Sequence, residues 1–258
     1  MRLVTGAYLG YLILPIALLV IGSFGESWTN TLLPTGLTLR WYEDLLQDTS
    51  FTRAFVTSLI VVSITGILNI LIGLPLAYAI YMAASRSVQW AARLLTLLPV
   101  AVPELVLAFG FILVFSSDQL PWLGSMWLLV AGHVVLTLPY FITTLLSDMK
   151  QLRVYDMQAV AASLGGPFRS RFVDIVLPSL RYSLLSALVI VAAISIGEFQ
   201  LSNLVAGFLS RTYPIVLLQA FYGATGFACA ATVVLLVLAI IAASTGALTG
   251  RLAHRRIA

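Results

Sequence analysis

Apolar segments of bilayer length fill most of this sequence and limit the folds that it can adopt. A helix of roughly 20 apolar residues spans a hydrocarbon core about 30 Å thick. Inside lipid the backbone polar groups must be satisfied within the segment, so each segment is predicted to be helical. The sequence therefore predicts an all-α membrane protein with six transmembrane helices, at Val4–Phe24, Ala54–Met82, Leu94–Phe115, Gly124–Leu146, Ser183–Phe208 and Thr225–Leu248.

The low charge of the chain supports this prediction. Only 9% of its 258 residues are charged, whereas a soluble domain carries about 25%. So few charges cannot cover a water-facing surface, and we expect one transmembrane domain over residues 1–258 with no soluble catalytic domain. The single cysteine, Cys229, excludes an internal disulfide.

The first apolar segment, Val4–Phe24, has two interpretations. Arg2 precedes it, as a basic residue precedes the apolar part of a signal peptide. However, the apolar part is long for a signal peptide, and the following "SFGESW" matches a small-residue cleavage site only loosely. We therefore expect a retained first transmembrane helix rather than a cleaved segment.

Basic residues indicate the orientation of the helices. With the amino terminus in the cytoplasm, three of the fourteen, Arg40, Arg53 and Arg211, fall on the outer side. This bias follows the positive-inside rule, and it accounts for the net charge of +4 without a nucleic-acid partner. Both termini and the segment Asp156–Arg181 are therefore predicted to be cytoplasmic. The inner set is Arg2, Arg86, Arg93, Lys150, Arg153, Arg169, Arg171, Arg181, Arg251, Arg255 and Arg256.

The predicted outer segment Leu37–Gln47 has apolar residues at near-helical spacing among charged ones. One interpretation is an amphipathic helix lying at the outer membrane interface, anchored by Trp41 and Tyr42. The other interpretation is an ordinary helix within a loop.

Helix-breaking residues occur in four of the predicted spans. Breaks inside a membrane are tolerated where neighbouring helices or a water-lined cavity satisfy the freed backbone groups. They favour a packed bundle around a pathway, although kinks are common in any multi-pass protein. The residues are Pro75 in the second span, Pro99 and Pro103 in the third, Pro139 in the fourth and Gly197 in the fifth.

Two carboxylates, Glu104 and Glu198, lie within predicted spans. A charged side chain near the bilayer centre costs about 3 kcal/mol on insertion scales, so such residues are candidates for a functional site. No lysine or arginine lies within a span to pair with them, which favours carboxylates that bind a transient cation. The alternatives are that Glu198 caps or pairs within the bundle and that Glu104 lies near the wet outer interface.

Two helical faces carry further polar residues in the fourth and fifth spans. The fifth-span face is Ser195, Glu198 and Ser202, and the fourth-span face is His133, Thr137, Tyr140 and Thr144. We place Ser195, Ser202 and Tyr140 beside the two carboxylates along a substrate pathway. Hydrogen bonding between helices is the alternative role, above all for His133 and the threonines.

Motifs for catalysis are absent from the sequence. It has no G-x-x-x-x-G-K-[ST] phosphate loop, no H-E-x-x-H zinc motif and no G-x-S-x-G nucleophile motif. Its two histidines, His133 and His254, lie far apart, and one cysteine cannot form a metal cluster. We therefore predict no catalytic residue, no metal site and no cofactor in this chain, so that energy for any pumping comes from a partner.

The segment between the fourth and fifth spans resembles a known motif. Its stretch "AVAASLGGPFRSRFVDIVLP" is similar to the cytoplasmic EAA loop of permease subunits of binding-protein-dependent ABC importers. That motif reads E-A-A, three residues, G, nine residues, I, one residue and L-P, and every spacing is met. Ala159 and Val160 depart from it, which puts in doubt any polar contact of the usual glutamate. The matching residues are Ala161, Gly165, Ile175, Leu177 and Pro178.

The resemblance implies a type I ABC importer permease with a MetI-like fold. In that family the loop, here about residues 150–180, forms a coupling helix that docks into a cleft of the ATP-binding subunit. Small residues would let the helix fit the cleft, and the glycines and proline that follow would end it. The coupling residues implied are Ala159, Ala161, Ala162, Gly165, Gly166, Ile175, Leu177 and Pro178.

The same resemblance implies the partners and the location. We expect a multi-pass protein of the bacterial inner membrane, acting with two ATP-binding subunits and an extracytoplasmic solute-binding protein. A second, homologous permease subunit would complete a heterodimer, and a homodimer is the alternative. ATP and Mg would be bound by the partner subunits, because this chain offers no site for them.

Three further stretches, "LPTGLTLRWYEDLL", "LLPVAVPELV" and "SIGEFQLSNLVAGF", resemble the polyamine (spermidine/putrescine) branch of the family. That branch places an acid after the third-span proline, as Pro103-Glu104 does, and another in the fifth span, where Glu198 stands. The implied substrate is a polyamine or related organic amine, moved by alternating access. The alternatives are an importer of 2-aminoethylphosphonate or ferric iron, a proton-coupled secondary transporter and a membrane enzyme.

Overall fold

The structure is a computed structural model that describes residues 2–28, 31 and 33–254. Within those residues it is helical, and the only extended pairings are two isolated bridges. The helices are α1 (Arg2–Ser23), α2 (Arg40–Gln47), α3 (Thr49–Leu68), α4 (Leu74–Met82), α5 (Arg86–Ala101), α6 (Glu104–Phe115), α7 (Met126–Gln151), α8 (Val154–Ser163), α9 (Phe168–Ser170), α10 (Leu177–Gly197), α11 (Gln200–Val205), α12 (Tyr213–Phe221) and α13 (Thr225–His254).

Shorter helical turns complete the architecture. A π-helical turn at Asn69–Gly73 joins α3 to α4, and a second at Arg171–Val176 joins α9 to α10. A 3-10 turn covers Phe208–Ser210. The predicted all-α class is confirmed.

Length and apolar composition qualify four helical segments as membrane spans. A bent pair, α5 with α6, makes a fifth if it is counted as one span, and the described apolar part of α13 is shorter. The count of six spans and the cytoplasmic termini therefore stay predictions, and Arg255 and Arg256 lie outside the described residues. The four segments are Val4–Ser23, Thr49–Met82, Met126–Gln151 and Phe168–Gly197.

The predicted third span, Leu94–Phe115, is broken, in agreement with the helix-breaking prolines that its sequence contains. Helix α5 ends at Ala101, α6 begins at Glu104, and the two helices are bent by 94° relative to each other. Pro103 explains the break, because it lacks an N–H and its ring disfavours the helical conformation at the residue before it. Val102 is accordingly extended, with φ −90° and ψ 126°.

The predicted fifth span, Ser183–Phe208, is continuous only in its first part. The helical segment begins earlier, at Phe168, and runs to Gly197. Glu198 is extended, with φ −70° and ψ 124°, and the short helix α11 starts two residues later. The fifth-span polar residues therefore do not form a face of one helix, which corrects the prediction from helical spacing.

Contacts divide the described chain into two compact units. The first takes its residues from Met1–Ser58 and Arg211–Ile241, and the second from Leu59–Ser210 and Ala242–Ala258. The expectation of a single transmembrane domain stays a prediction.

Helix α7 is the central element of the second unit, and more than half of its residues are buried. Its residues Phe141, Leu145 and Met149 pack in one cluster with Leu180 of α10. Gly73 allows this close approach, because a Cβ there would lie 2.6 Å from the Phe141 ring. In lipid such packing stabilises by van der Waals contact between helices rather than by exclusion of water.

In the first unit, α2 is fastened to the end of α1. The Trp41 indole N–H donates to the Gly25 carbonyl at 2.7 Å, and the Tyr42 hydroxyl donates to Ser23 Oγ at 2.7 Å. The helix predicted within Leu37–Gln47 is thus confirmed as α2. Its aromatic side chains hydrogen-bond within the chain, which favours the loop-helix interpretation over free interfacial anchors.

Candidate functional site

Glu198 lies at the break between α10 and α11, and its side chain is buried. The carboxylate accepts hydrogen bonds from the backbone N–H of Leu201 at 2.6 Å and of Ser202 at 2.9 Å. The Ser202 hydroxyl donates to it as well. The start of a helix leaves such N–H groups without partners, so Glu198 stabilises the first turn of α11.

His133 of α7 connects the two sides of this break. Its side chain is buried, its Nδ1 lies 2.7 Å from Ser195 Oγ, and its Nε2 lies 3.0 Å from Ser202 Oγ. The same Nε2 is 3.6 Å from the Glu198 carboxylate. Ser195, Glu198 and Ser202 therefore do come together, but through an imidazole from another helix rather than through helical periodicity.

Asn69, in the π-helical turn after α3, extends the cluster to the second span. Its side-chain amide donates to Thr137 Oγ1 at 2.9 Å and to the Thr65 carbonyl at 2.9 Å. Thr137 in turn donates to the His133 carbonyl at 2.7 Å. The sequence analysis missed Asn69, although a lone amide inside an apolar span is a visible signal. We refer to Asn69, His133, Thr137, Ser195, Glu198 and Ser202 as the buried polar cluster.

The buried polar cluster satisfies most of its polar atoms internally. Both carboxylate oxygens of Glu198 and both ring nitrogens of His133 have partners in the chain. The chemistry of this arrangement is hydrogen bonding between three spans, which keeps the interrupted fifth span in place. Among the described residues, no group of three or more His, Cys, Asp or Glu could hold a metal ion.

Glu104, the other carboxylate singled out by sequence, begins α6 directly after the third-span break. Its side chain is partly exposed, and it forms no ion pair with any residue that the structure describes. Both helix breaks thus carry a glutamate, and of the two Glu104 is the partly exposed one, whereas Glu198 is buried.

Tyr140 and Thr144 lie apart from the buried polar cluster, although helical spacing predicted a face shared with His133 and Thr137. Tyr140 is 40% exposed, and the Thr144 hydroxyl donates to the Tyr140 carbonyl at 2.8 Å. The predicted face is therefore buried before Pro139 and more open after it. A pathway role for Tyr140 stays a prediction.

Helix α8, which begins two residues before the segment Asp156–Arg181, forms a second candidate surface. Val154 and Gln158 are buried and hold the helix on the protein. The other side is apolar and exposed, with Val160 at 62% and Leu164, directly after the helix, at 83%. The small residues Ala159, Ala162 and Ser163 are exposed, and Ala161 is partly exposed.

Two glycines end α8 abruptly. Gly165 has φ +82°, and its N–H donates to the Ala162 carbonyl at 3.0 Å. The Gly166 N–H donates to the Ala161 carbonyl at 3.0 Å. This pair of bonds is a Schellman motif, whose left-handed residue is usually glycine because it has no Cβ. The predicted end of the helix is confirmed.

The residues that close the motif follow α8 in the chain, in the π-helical turn and the start of α10. The Gln158 side-chain amide donates to the Arg171 carbonyl at 3.4 Å and so connects α8 to the π-helical turn. Gln158 was not among the residues predicted from the sequence. Ile175 is partly buried, and Leu177 packs against the core of the second unit. Pro178 lies at the start of α10, directly after the π-helical turn Arg171–Val176.

The fold and these two surfaces define a class of protein, a helical membrane protein with two broken spans and an exposed apolar helix α8. The family described as "Binding-protein-dependent transport system inner membrane component" matches residues 69–256, and the chain belongs to it. It is therefore an ABC importer permease, a multi-pass protein of the bacterial inner membrane. In such importers ATP hydrolysis lies in partner subunits, so this chain is not an enzyme.

The named relatives that this chain matches include two groups. The chain is 26% identical over 191 residues to a putative 2-aminoethylphosphonate transport system permease protein of Salmonella typhimurium, which covers 74% of this chain and 71% of the relative. It is also 26% identical over 215 residues to the spermidine/putrescine transport system permease protein PotC of Escherichia coli, which covers 80% and 78%.

Solved structures show the same fold. A bacterial alginate ABC transporter in complex with a pentasaccharide-bound periplasmic protein matches with a TM-score of 0.71 and 16% identity, over 98% of this chain and 93% of that one. An amino acid ABC transporter with histidines matches with a TM-score of 0.59 and 14% identity, over 83% and 99%. The predicted type I permease fold is confirmed.

Family membership also decides between the alternatives left open by sequence. An ABC importer permease draws on ATP hydrolysis by partner subunits. The proton-coupled secondary transporter and the membrane enzyme are therefore set aside.

Proposed function

We propose that this permease imports a small organic amine, either a polyamine or 2-aminoethylphosphonate, by alternating access. Both solutes contain a primary amine that is protonated at neutral pH, and an ammonium pairs well with a carboxylate. The observation that carries the proposal is Glu104, partly exposed at the third-span break and without an ion pair among the described residues. The names of the two groups of relatives support the same solute class.

A polyamine is the first candidate within this class. Glu104 and Glu198 each lie at a break in a predicted span, and two carboxylates along one pathway would favour a solute with more than one positive charge. The phosphonate of 2-aminoethylphosphonate would be repelled by the same pair, but the relatives from Salmonella keep it as the second candidate. Ferric iron has less support, because the described residues hold no group of three or more candidate metal ligands.

The site residues take different roles in this proposal. Glu104 contacts the solute, whereas Glu198, Ser195 and Ser202 hold the interrupted fifth span that borders the pathway. Tyr140 lines the pathway beyond Pro139.

The test is ATP-dependent uptake by the assembled importer in proteoliposomes, with putrescine, spermidine and 2-aminoethylphosphonate offered separately. We expect Glu104→Gln to slow uptake at limiting solute roughly 30-fold, because a hydrogen bond to a charged group is worth about 2 kcal/mol. Glu43→Gln, an exposed carboxylate of α2, is the matched control and should transport normally. Unchanged uptake of every amine by Glu104→Gln would contradict the proposal.

We further propose that α8 docks on an ATP-binding subunit. Val160 and Leu164 expose apolar surface outside the bundle, and covering such surface is favourable by about 25 cal/mol per Å². The complete importer would contain two ATP-binding subunits, an extracytoplasmic solute-binding protein and a second permease subunit, with a heterodimer expected. Six spans and cytoplasmic termini are part of the same proposal.

Gly165→Val tests the docking helix. A β-branched residue at φ +82° is strained, so the end of α8 should shift and ATP hydrolysis should lose its stimulation by the loaded solute-binding protein. Gly110→Val is the matched control, since a Cβ at Gly110 meets no atom within 4 Å. Full coupling in Gly165→Val would argue against docking through this helix.

A further inference from the structure

A positively charged cavity lies between α5 and α7, near the end of α7 that leads into α8. Its volume is about 240 Å³, many times the space that one water needs. Arg93 and Lys150 would repel a protonated amine. The cavity is therefore not part of the route proposed above for the solute. Its polar lining is Arg93 and Thr96 of α5 with Thr143, Ser147 and Lys150 of α7.

Among the described residues, the two cations of the cavity have no counter-ion. Arg93 and Lys150 form no ion pair there, not even with the neighbouring Asp148. The Arg93 Nε is buried and has no hydrogen-bond partner in the described part of the chain. A buried donor is destabilising when unpaired, and beside two positive charges an anion is the favourable acceptor.

The donors that remain in the cavity suit a phosphate. The hydroxyls of Thr96 and Thr143 are used, because each donates to a backbone carbonyl of its own helix. The Arg93 guanidinium, the Lys150 ammonium and the Ser147 hydroxyl are left. A planar guanidinium pairs with two phosphate oxygens at once, and the ammonium adds a second positive charge.

The surroundings of the cavity suit a lipid. Trp90 and Leu94 of α5 are 65% and 62% exposed, and tryptophan is enriched at the level of lipid headgroups. Arg93 lies about 10 Å along α5 from Arg86 at 1.5 Å per residue, within reach of the headgroup layer for an extended side chain. A ligand that pairs with the two cations and also covers this apolar surface needs both an anionic group and acyl chains.

We propose that this cavity binds the phosphate of an anionic phospholipid, whose acyl chains follow the exposed side of α5. Basic pockets between transmembrane helices on the cytoplasmic side bind headgroups of this kind. The lipid fastens α5 to α7 beside the connection to α8.

The test is lipid binding by the assembled importer, titrated with phosphatidylglycerol, cardiolipin or phosphatidylcholine and followed by native mass spectrometry. The anionic lipids should bind about tenfold more tightly than phosphatidylcholine. Arg93→Gln and Lys150→Gln should each lower that affinity about fivefold, because one basic residue near an anionic headgroup is worth about 1 kcal/mol. Arg86→Gln, on the same helix but outside the cavity lining, should change it less than about twofold.

Three results would overturn the proposal. The first is equal binding of anionic and zwitterionic lipid by the unaltered importer. This measurement does not depend on the folding of any variant. The second is displacement of the lipid by inorganic phosphate or 2-aminoethylphosphonate as effectively as by phosphatidylglycerol, which identifies a site for soluble anions. The third is unchanged lipid affinity in a variant that combines Arg93→Gln with Lys150→Gln, together with loss of a copurifying subunit, which identifies a protein contact.

Discussion

The third and fifth spans both break beside a glutamate, but the two carboxylates have opposite surroundings. Glu198 is buried, and it accepts hydrogen bonds from Leu201 and Ser202 of its own chain. Glu104 is partly exposed and has no ion pair among the described residues. The same side chain beside a helix break therefore accepts hydrogen bonds from its own chain in one place and is partly exposed in the other.

The causes of the two breaks also differ. Pro103 imposes the third-span break locally, through its own ring and its missing N–H. No proline lies at the fifth-span break, where a carboxylate satisfies the N–H groups of the restarted helix instead. The fifth-span break should therefore depend on its side chain, whereas the third-span break should not.

Glu198→Ala should give the largest loss of stability. Removing a buried charged acceptor leaves its donors without partners, and we expect the free energy of unfolding to fall by about 3 kcal/mol. Chemical unfolding of the purified permease in detergent measures this. Glu104→Ala is the matched variant and should stay within about 0.5 kcal/mol of the original chain. Equal losses at both glutamates would remove the contrast between the breaks.

His133→Phe should come next. The phenyl ring has a similar size but makes no hydrogen bond, so Ser195 and Ser202 lose a partner each. We expect the unfolding free energy to fall by about 2 kcal/mol, while uptake per folded importer is retained. A variant as stable as the original would show that the imidazole does not hold the broken span.

Ser195→Ala should have a smaller effect of the same kind. It removes one neutral hydrogen bond between helices, which averages about 0.6 kcal/mol in membranes. The exposed Ser87→Ala serves as the control and should leave unfolding unchanged. A loss as large as that of His133→Phe would mean that the cluster acts through Ser195 alone.

Tyr140→Phe should have the smallest effect on stability. The hydroxyl belongs to an exposed side chain outside the buried polar cluster, so the unfolding free energy should change by less than about 0.5 kcal/mol. Uptake by the same variant is the informative measurement. A lower rate at unchanged stability supports the proposed place of Tyr140 in the pathway, and normal transport argues against it.

Local patterns predicted the parts of this protein that depend on local physics. The Gly165-Gly166 end of α8 is an example, because a left-handed residue and a following turn are encoded in two adjacent glycines. The exposure of Ala159 and Ala162 also agrees with the resemblance to the EAA loop. The prediction of a shared helical face was wrong at Glu198, because helical periodicity assumes an unbroken helix. Ser195, Glu198 and Ser202 do lie together, but across a break between two helices.

Apolar length, charge distribution and the loop motif were enough to identify an all-α permease of the inner membrane, since lipid requires helices and the motif spacing is a linear property of the chain. Only the tertiary structure shows that His133 of α7 joins Ser195 to Ser202 and that Asn69 extends this cluster. The tertiary structure also distinguishes the buried Glu198 from the partly exposed Glu104. Whether a carboxylate already accepts hydrogen bonds depends on its neighbours in space, and some of these lie far along the chain. A sequence pattern within one segment does not contain that information.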